Sequence, residues 1–216
     1  MEITIWSDFV CPFCYIGQTH LERAMENFAH ADEITISHKS FELMPGAKHD
    51  PSKDFYQSFA DLKGTTYEQA KQMNDQVAEM AERTGLHFKV DKMKMADTMP
   101  AHRVFQYAKS ENKDDAYFKA FYHAYFENGA LISDEDTIVS LAESVGLDGQ
   151  TVREILADED KFKAETNLDI FQAGQVGVQG VPFFVFDNKY AVSGAQPVEV
   201  FQQVLDQVYA NEQAEA

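Results

Sequence analysis

The chain of 216 residues is 44% hydrophobic, enough for a sizeable core in one compact domain or in a small domain carrying a large insertion. With 36 acidic against 18 basic residues the net charge is −18, which disfavours nucleic acid and anionic membrane surfaces as partners. No run approaches the roughly 18 apolar residues of a membrane span, and the start lacks a secretory signal, so the expected location is cytoplasmic, where a structural disulfide is unusual.

The first element is "EITIW", whose alternation about Ile3 and Ile5 reads as a short strand. Both cysteines follow at once in "WSDFVCPFCYIG", residues 6 to 17. From Cys11 onward Tyr15, Leu21, Ala24, Met25 and Phe28 keep one helical face despite Gly17. Pro12 suits the first helical turn, where its missing N–H costs nothing, and Asp8 or the loop after it is expected to cap the start. A second strand is expected within residues 33 to 43, completing a right-handed parallel βαβ unit.

Residues 45 to 63 read as a loop on which Phe55, Tyr56 and Phe59 pack back locally. A helical block follows. Its first helix is expected to carry a capping box from Thr65 to Glu68, a stripe of Ala70, Met73, Val77, Met80 and Ala81, and Gly85 as terminator. "MPAHRVFQYAKS", "DAYFKAFYHAYFENG" and "SDEDTIVSLAESVG" repeat the helical pattern, the last with Ser133 as cap. A further helix over 148 to 174 breaks near Asp158, and "GVPFFVFDNKYAVSG" then gives two strands turning at Asp187-Asn188. Pro197 starts a final helix with a stripe of Val198, Phe201, Val204, Leu205 and Val208. The order is βαβ, then helices, then ββα, an α/β chain.

A strand that delivers C-x-x-C to the first turn of a helix suits thiol redox chemistry. Unpaired N–H groups and the helix dipole favour an anion there, which makes Cys11 the natural nucleophile. Cys14, one turn later, can attack a mixed disulfide formed at Cys11. The same spacing is half of a zinc site, but no third cysteine exists and the seven histidines lack ligand spacing, so no metal is expected. In "VQGVPFF", Pro182 opens an apolar strand, where it fits a strand start, a bulge or a cis bond. A cis proline beside the cysteines would leave the Val181 backbone free to pair with an extended peptide. Asp8, His38 and Glu42 are the candidate proton acceptors. Met44, Met73, Met80, Met93, Met95 and Met99 read first as core filler, with an adaptable apolar lip as the functional alternative. The aromatic run from Tyr117 to Phe126 predicts a helix buried on several sides.

"SDFVCPFCYIG", "MPAHRVFQYA" and "VGVQGVPFFVFDNKYAVSGAQP", in this order over nearly the whole chain, resemble the thioredoxin superfamily and, within it, DsbA-like oxidoreductases of the FrnE type. The resemblance implies a thioredoxin-like domain from residues 1–62 and 160–212, an all-helical insertion over 63–159 and an acidic tail at 213–216. It implies that Cys11 attacks, Cys14 resolves, Pro182 is a cis proline beside them, and Pro12, Phe13 and Val181 contact substrate. Protein or peptide thiols and disulfides are the implied partners, with glutathione as a candidate co-substrate and no resident cofactor beyond the redox-active pair. Pro12-Phe13 departs from the histidine of strongly oxidising DsbA proteins and resembles glutaredoxins, so an intermediate potential is expected. The same layout resembles kappa-class glutathione transferases and hydroxychromene-carboxylate isomerases, which usually place a serine where Cys11 stands. A peptide-binding or chaperone module is the non-enzymatic alternative. "AHR" at 101–103 resembles the insertion signature of the family, and His102 is read as structural. Oligomeric state is not legible.

Overall fold

The computed structural model describes residues 1–215. Its centre is a four-stranded sheet. β1 (Glu2–Ser7) and β2 (Thr35–Ser40) pair in parallel through the connecting α1 (Pro12–Glu26), with Ile3 opposite Ile36 and Ile5 opposite His38. The other edge of β1 is covered antiparallel by a strand from the far end of the chain, so the elements that frame the cysteines are distant in sequence.

Between β2 and that return lies a helical block: α2 (Phe55–Lys63), α3 (Tyr67–Arg83), α4 (Met99–Ser110), α5 (Asp114–Tyr122), α6 (Glu135–Ser144), α7 (Gly149–Ala157) and α8 (Lys163–Val176). Then β3 (Phe183–Phe186) and β4 (Tyr190–Ser193) form a hairpin, and α9 (Val198–Glu215) closes the chain. The sheet order is β2-β1-β3-β4. At the hairpin turn Asp187 and Asn188 adopt φ of 48° and 55°, the left-handed pair that a two-residue turn with the twist of the strands requires. One sheet face buries Ile3, Ile5, Phe184 and Phe186 against Leu21 and Ala24 of α1 and Phe201 and Leu205 of α9. The other face packs Trp6 and Val185 on Ala173 of α8, and the Trp6 indole donates to the Asp169 carbonyl (3.0 Å). Among the described residues no helix is long and apolar enough to cross a membrane.

Several sequence expectations are corrected. Residues 55–63, expected as loop, form α2: the Asp54 side chain caps its N-terminus and Gly64, at φ 64°, ends it. The expected domain boundary between 62 and 63 therefore falls inside a helix. The capping box of α3 is Thr66 with Gln69, one residue beyond Thr65 and Glu68, and α6 is capped by Asp134 instead of Ser133. Of Asp8 and the loop after it, the structure takes the loop: Cys11 occupies the cap position of α1, with no side-chain cap hydrogen bond. Residues 213–215, expected as a tail, continue α9, and Ala216 lies outside the described residues. The expected break near Asp158 is real and separates α7 from α8.

The sheet buries its side chains in clusters of its own, whereas the loop after β1 and the first turn of α1 belong to the core of the helical block. Phe9, Val10, Cys11 and Cys14 belong to the same buried cluster as Phe105, Tyr117, Phe118, Phe121 and Tyr122. At the rim of that contact Asp115 of α5 accepts from Gln18 of α1 (2.9 Å) and pairs with His38 of β2 (3.4 Å) and Lys119 (2.8 Å). Burial opposes ionisation of Asp115, yet its contacts with His38 and Lys119 outweigh it and hold the carboxyl at about 2, down from 3.8. A depressed carboxyl stabilises the fold above its unfolded value and loses that contribution as the pH falls toward the folded one. Asp115→Asn is therefore expected to flatten the stability loss between about pH 4 and pH 2, measured by urea midpoints across that range.

Candidate active site

The site begins with the loop after β1. Cys11 is the cap residue of α1, extended at φ −88° and ψ 109°, and Pro12 occupies the first helical turn. The first turn closes on the Cys11 carbonyl, with N–H donors from Cys14 (3.1 Å) and Tyr15 (3.4 Å), so the positive end of the helix lies beneath the sulfurs. Both cysteines are free thiols and buried. The Cys11 Sγ donates to the Val181 carbonyl at 3.4 Å, across 170 residues of sequence. The Val181–Pro182 bond is cis. Gly17 lets this corner approach α1: a Cβ there would stand 3.0 Å from Pro182 Cγ and 3.3 Å from both Ala195 Cα and Phe184 Cζ. Gly17→Ala is expected to destabilise the protein by about 1 kcal/mol despite the better helix former, and Gly17→Val by more, measured by chemical denaturation.

Cys14 faces inward. Burial is the chief reason its thiol is held well above its ordinary pKa, reinforced by hydrogen bonding to the Cys11 sulfur. Behind it Asp8 and His102 are both fully buried, with His102 Nε2 3.1 Å from Asp8 Oδ1. The other Asp8 oxygen accepts from the Leu43 N–H at 2.7 Å. The Phe9 ring stacks among His102, Phe118 and Phe121, with centroids 4.4 to 4.9 Å away, which fixes the loop between β1 and α1. Half-buried Glu42 has its carboxyl raised, by burial first and then by the Asp8 and Asp97 charges, with His102 opposing. Of the three candidate acceptors, Asp8 and Glu42 thus flank the site, while His38 faces Asp115 at the domain contact. His102, read from sequence as a structural histidine, is the partner of Asp8. The next residue, Arg103, donates to the carbonyls of Ile155 (2.6 Å), Asp158 (2.6 Å) and Lys161 (3.1 Å), which secures the break between α7 and α8.

In front of Cys11 opens a groove of about 560 Å³. Cys11, Pro12, Phe13 and Val181 line it, as do Phe55 and Phe59 of α2 and Met73 and Met80 of α3. The methionine expectation is corrected in part: Met44, Met73, Met80 and Met93 line this groove, and only Met95 of the six is buried away from it as core. Leu43, Phe55 and Phe59 were not recognised as site residues: Leu43 stood at the end of an expected strand, and Phe55 and Phe59 were apolar side chains in an apparent loop. Among the described residues no group of three histidine, cysteine or acidic side chains is placed to hold a metal.

A model of the DSBA-like thioredoxin domain matches residues 2–206. The chain belongs to that family. Among solved structures, a probable DsbA oxidoreductase from Streptomyces coelicolor is 37% identical, with a TM-score of 0.90 over 97% of this chain and 90% of the other. The cytosolic disulfide reductase DsbM from Pseudomonas aeruginosa, solved with glutathione, matches at 16% identity and TM-score 0.65, covering 96% and 98%. A 2-hydroxychromene-2-carboxylate isomerase matches at 14% identity and TM-score 0.69, covering all of both chains. The last two likenesses concern the fold. The thioredoxin-like fold with a helical insertion, expected from the sequence, is therefore the fold of this DSBA-like chain.

Proposed function

We propose that this DSBA-like protein is a thiol–disulfide oxidoreductase of the FrnE-type branch, acting on protein or peptide substrates through Cys11 and Cys14. The observation that carries the reading is the position of Cys11: at a helix N-terminus, on the wall of an apolar groove, with its sulfur 3.4 Å from the Val181 carbonyl. In reduction, the Cys11 thiolate attacks one sulfur of a substrate disulfide and displaces the other as a thiolate. Cys14 then gives up its proton and attacks the Cys11 sulfur, and the second substrate thiolate leaves. The substrate gains two electrons and the enzyme holds a Cys11–Cys14 disulfide. Val181 supports an extended substrate through its backbone, and Pro12 and Phe13 contact it from α1.

Two glutathione molecules would return the enzyme to the dithiol, yielding glutathione disulfide. The glutathione in the structure of DsbM, itself a cytosolic reductase, supports this choice of reductant and the cytoplasmic location proposed with it. Turbidimetric insulin reduction with dithiothreitol is the test: the parent is expected to accelerate it and Cys11→Ser to leave only the uncatalysed rate. Equal rates end the proposal. The fold likeness to the isomerase supplies the rival, a glutathione-dependent isomerase or transferase. Tight calorimetric binding of glutathione to Cys11→Ser would favour that rival, because no mixed disulfide can then form at position 11.

A further inference from the structure

Four of the eight methionines of the chain line the groove beside Cys11. Their exposures differ. On α3, Met73 and Met80 stand seven residues apart on one face, with Val77 between them, and are 48% and 42% exposed. Met93, deeper in the same groove, is 6% exposed, and Met95 is 4% exposed and off the groove. The rest of the lining is mostly apolar, with Lys63 its one charged side chain. A thioether here is a choice with a consequence: leucine would cover the same area and resist oxidation, whereas methionine becomes a polar sulfoxide that an apolar wall cannot solvate.

We infer that Met73 and Met80 are sites of oxidation by hydroperoxides, and that their sulfoxides close the groove to apolar substrates without altering the cysteine pair. In each event the thioether sulfur attacks the terminal peroxide oxygen and forms an S–O bond as the O–O bond breaks; the other oxygen takes up the proton and leaves as an alcohol, or as water when the oxidant is hydrogen peroxide. The sulfur is oxidised by two electrons and the peroxide reduced by two. With Cys11 and Cys14 joined as a disulfide, neither sulfur is a thiolate able to compete for the oxidant. The substrate effect rests on the proposed oxidoreductase activity; the modification does not.

The disulfide form is treated with hydrogen peroxide, quenched, and mapped by peptide mass spectrometry. Met73 and Met80 are expected to gain oxygen about tenfold faster than Met93 and Met95, in line with their exposure. Equal rates at the four positions overturn the assignment. After reduction with dithiothreitol, the protein is reacted with two disulfides: a cysteine peptide bearing adjacent leucine and phenylalanine, joined to thionitrobenzoate, and dithiobis(nitrobenzoate) itself, which is small and charged. Peroxide treatment is expected to slow the apolar peptide about tenfold and the small reagent little, as desolvating an unpaired polar group predicts. Methionine sulfoxide reductase is expected to restore the rate, and the Met73→Leu/Met80→Leu protein to show the same peptide rate before and after peroxide. Slowing of both reagents alike, or slowing that persists in the double variant, overturns the gating. An untreated protein inert toward both reagents overturns the proposed function and the gating with it, while the mass map still decides the modification.

Discussion

Cys14→Ser is expected to arrest the protein as a mixed disulfide between Cys11 and its substrate, with turnover falling on the order of a hundredfold or more. The reason is geometric. Cys11 lines the groove in which the proposed substrate would bind, and only a second thiol one helical turn away could then displace it. Serine keeps the volume and removes the nucleophile. Non-reducing gels of Cys14→Ser incubated with an oxidised protein substrate should show a covalent adduct that dithiothreitol releases, and Cys11→Ser should show none. The reduced parent gives a companion measurement. Burial, followed by hydrogen bonding to the Cys11 sulfur, holds the Cys14 thiol protonated, so brief iodoacetamide treatment near neutral pH should label Cys11 and spare Cys14. Label divided evenly between the two would contradict their assigned order.

Asp8→Ala is expected to cost about 3 kcal/mol of stability, the usual penalty for stranding one member of a buried polar pair. Neither Asp8 nor His102 reaches solvent, His102 Nδ1 already lacks a partner, and removing the carboxylate strands Nε2 and the Leu43 N–H as well. Asp8→Asn retains an acceptor oxygen and should cost about 1 kcal/mol. Urea unfolding of the reduced proteins measures both. The loss should be cooperative across the whole chain, because Asp8 lies between β1 and α1 while His102 lies on α4, and both pack into one cluster through Phe9 and Phe118. Separate unfolding of sheet and helical block would contradict this.

Where a local cause determined the structure, the sequence revealed it. Pro12 after a strand set the start of α1, and Asp187-Asn188 between two apolar runs set the hairpin, because φ preferences at those residues leave few alternatives. Where two neighbours could do the same work, it did not: Thr65 and Thr66, or Ser133 and Asp134, are equally good caps until the backbone chooses. The short helix α2 was hidden by the prolines and glycine that precede Asp54. In the site, Cys11, Cys14 and the Val181–Pro182 corner were legible because they form motifs. The Asp8–His102 contact was not, since 94 residues separate its members and no period connects them. The α3 stripe was read correctly as a face, but a stripe has the same spacing whether it borders a core or an open groove. Met73 and Met80 showed which only through their exposure.

The reacting sulfur sits on α1, whereas much of the groove wall opposite it comes from α2 and α3, elements that contribute nothing to the sheet. The proposed substrate wall and the proposed redox pair thus come from different stretches of the chain. Under the proposed function, substitutions within residues 55–83 are expected to change which substrates fit while leaving the Cys11–Cys14 couple as it is.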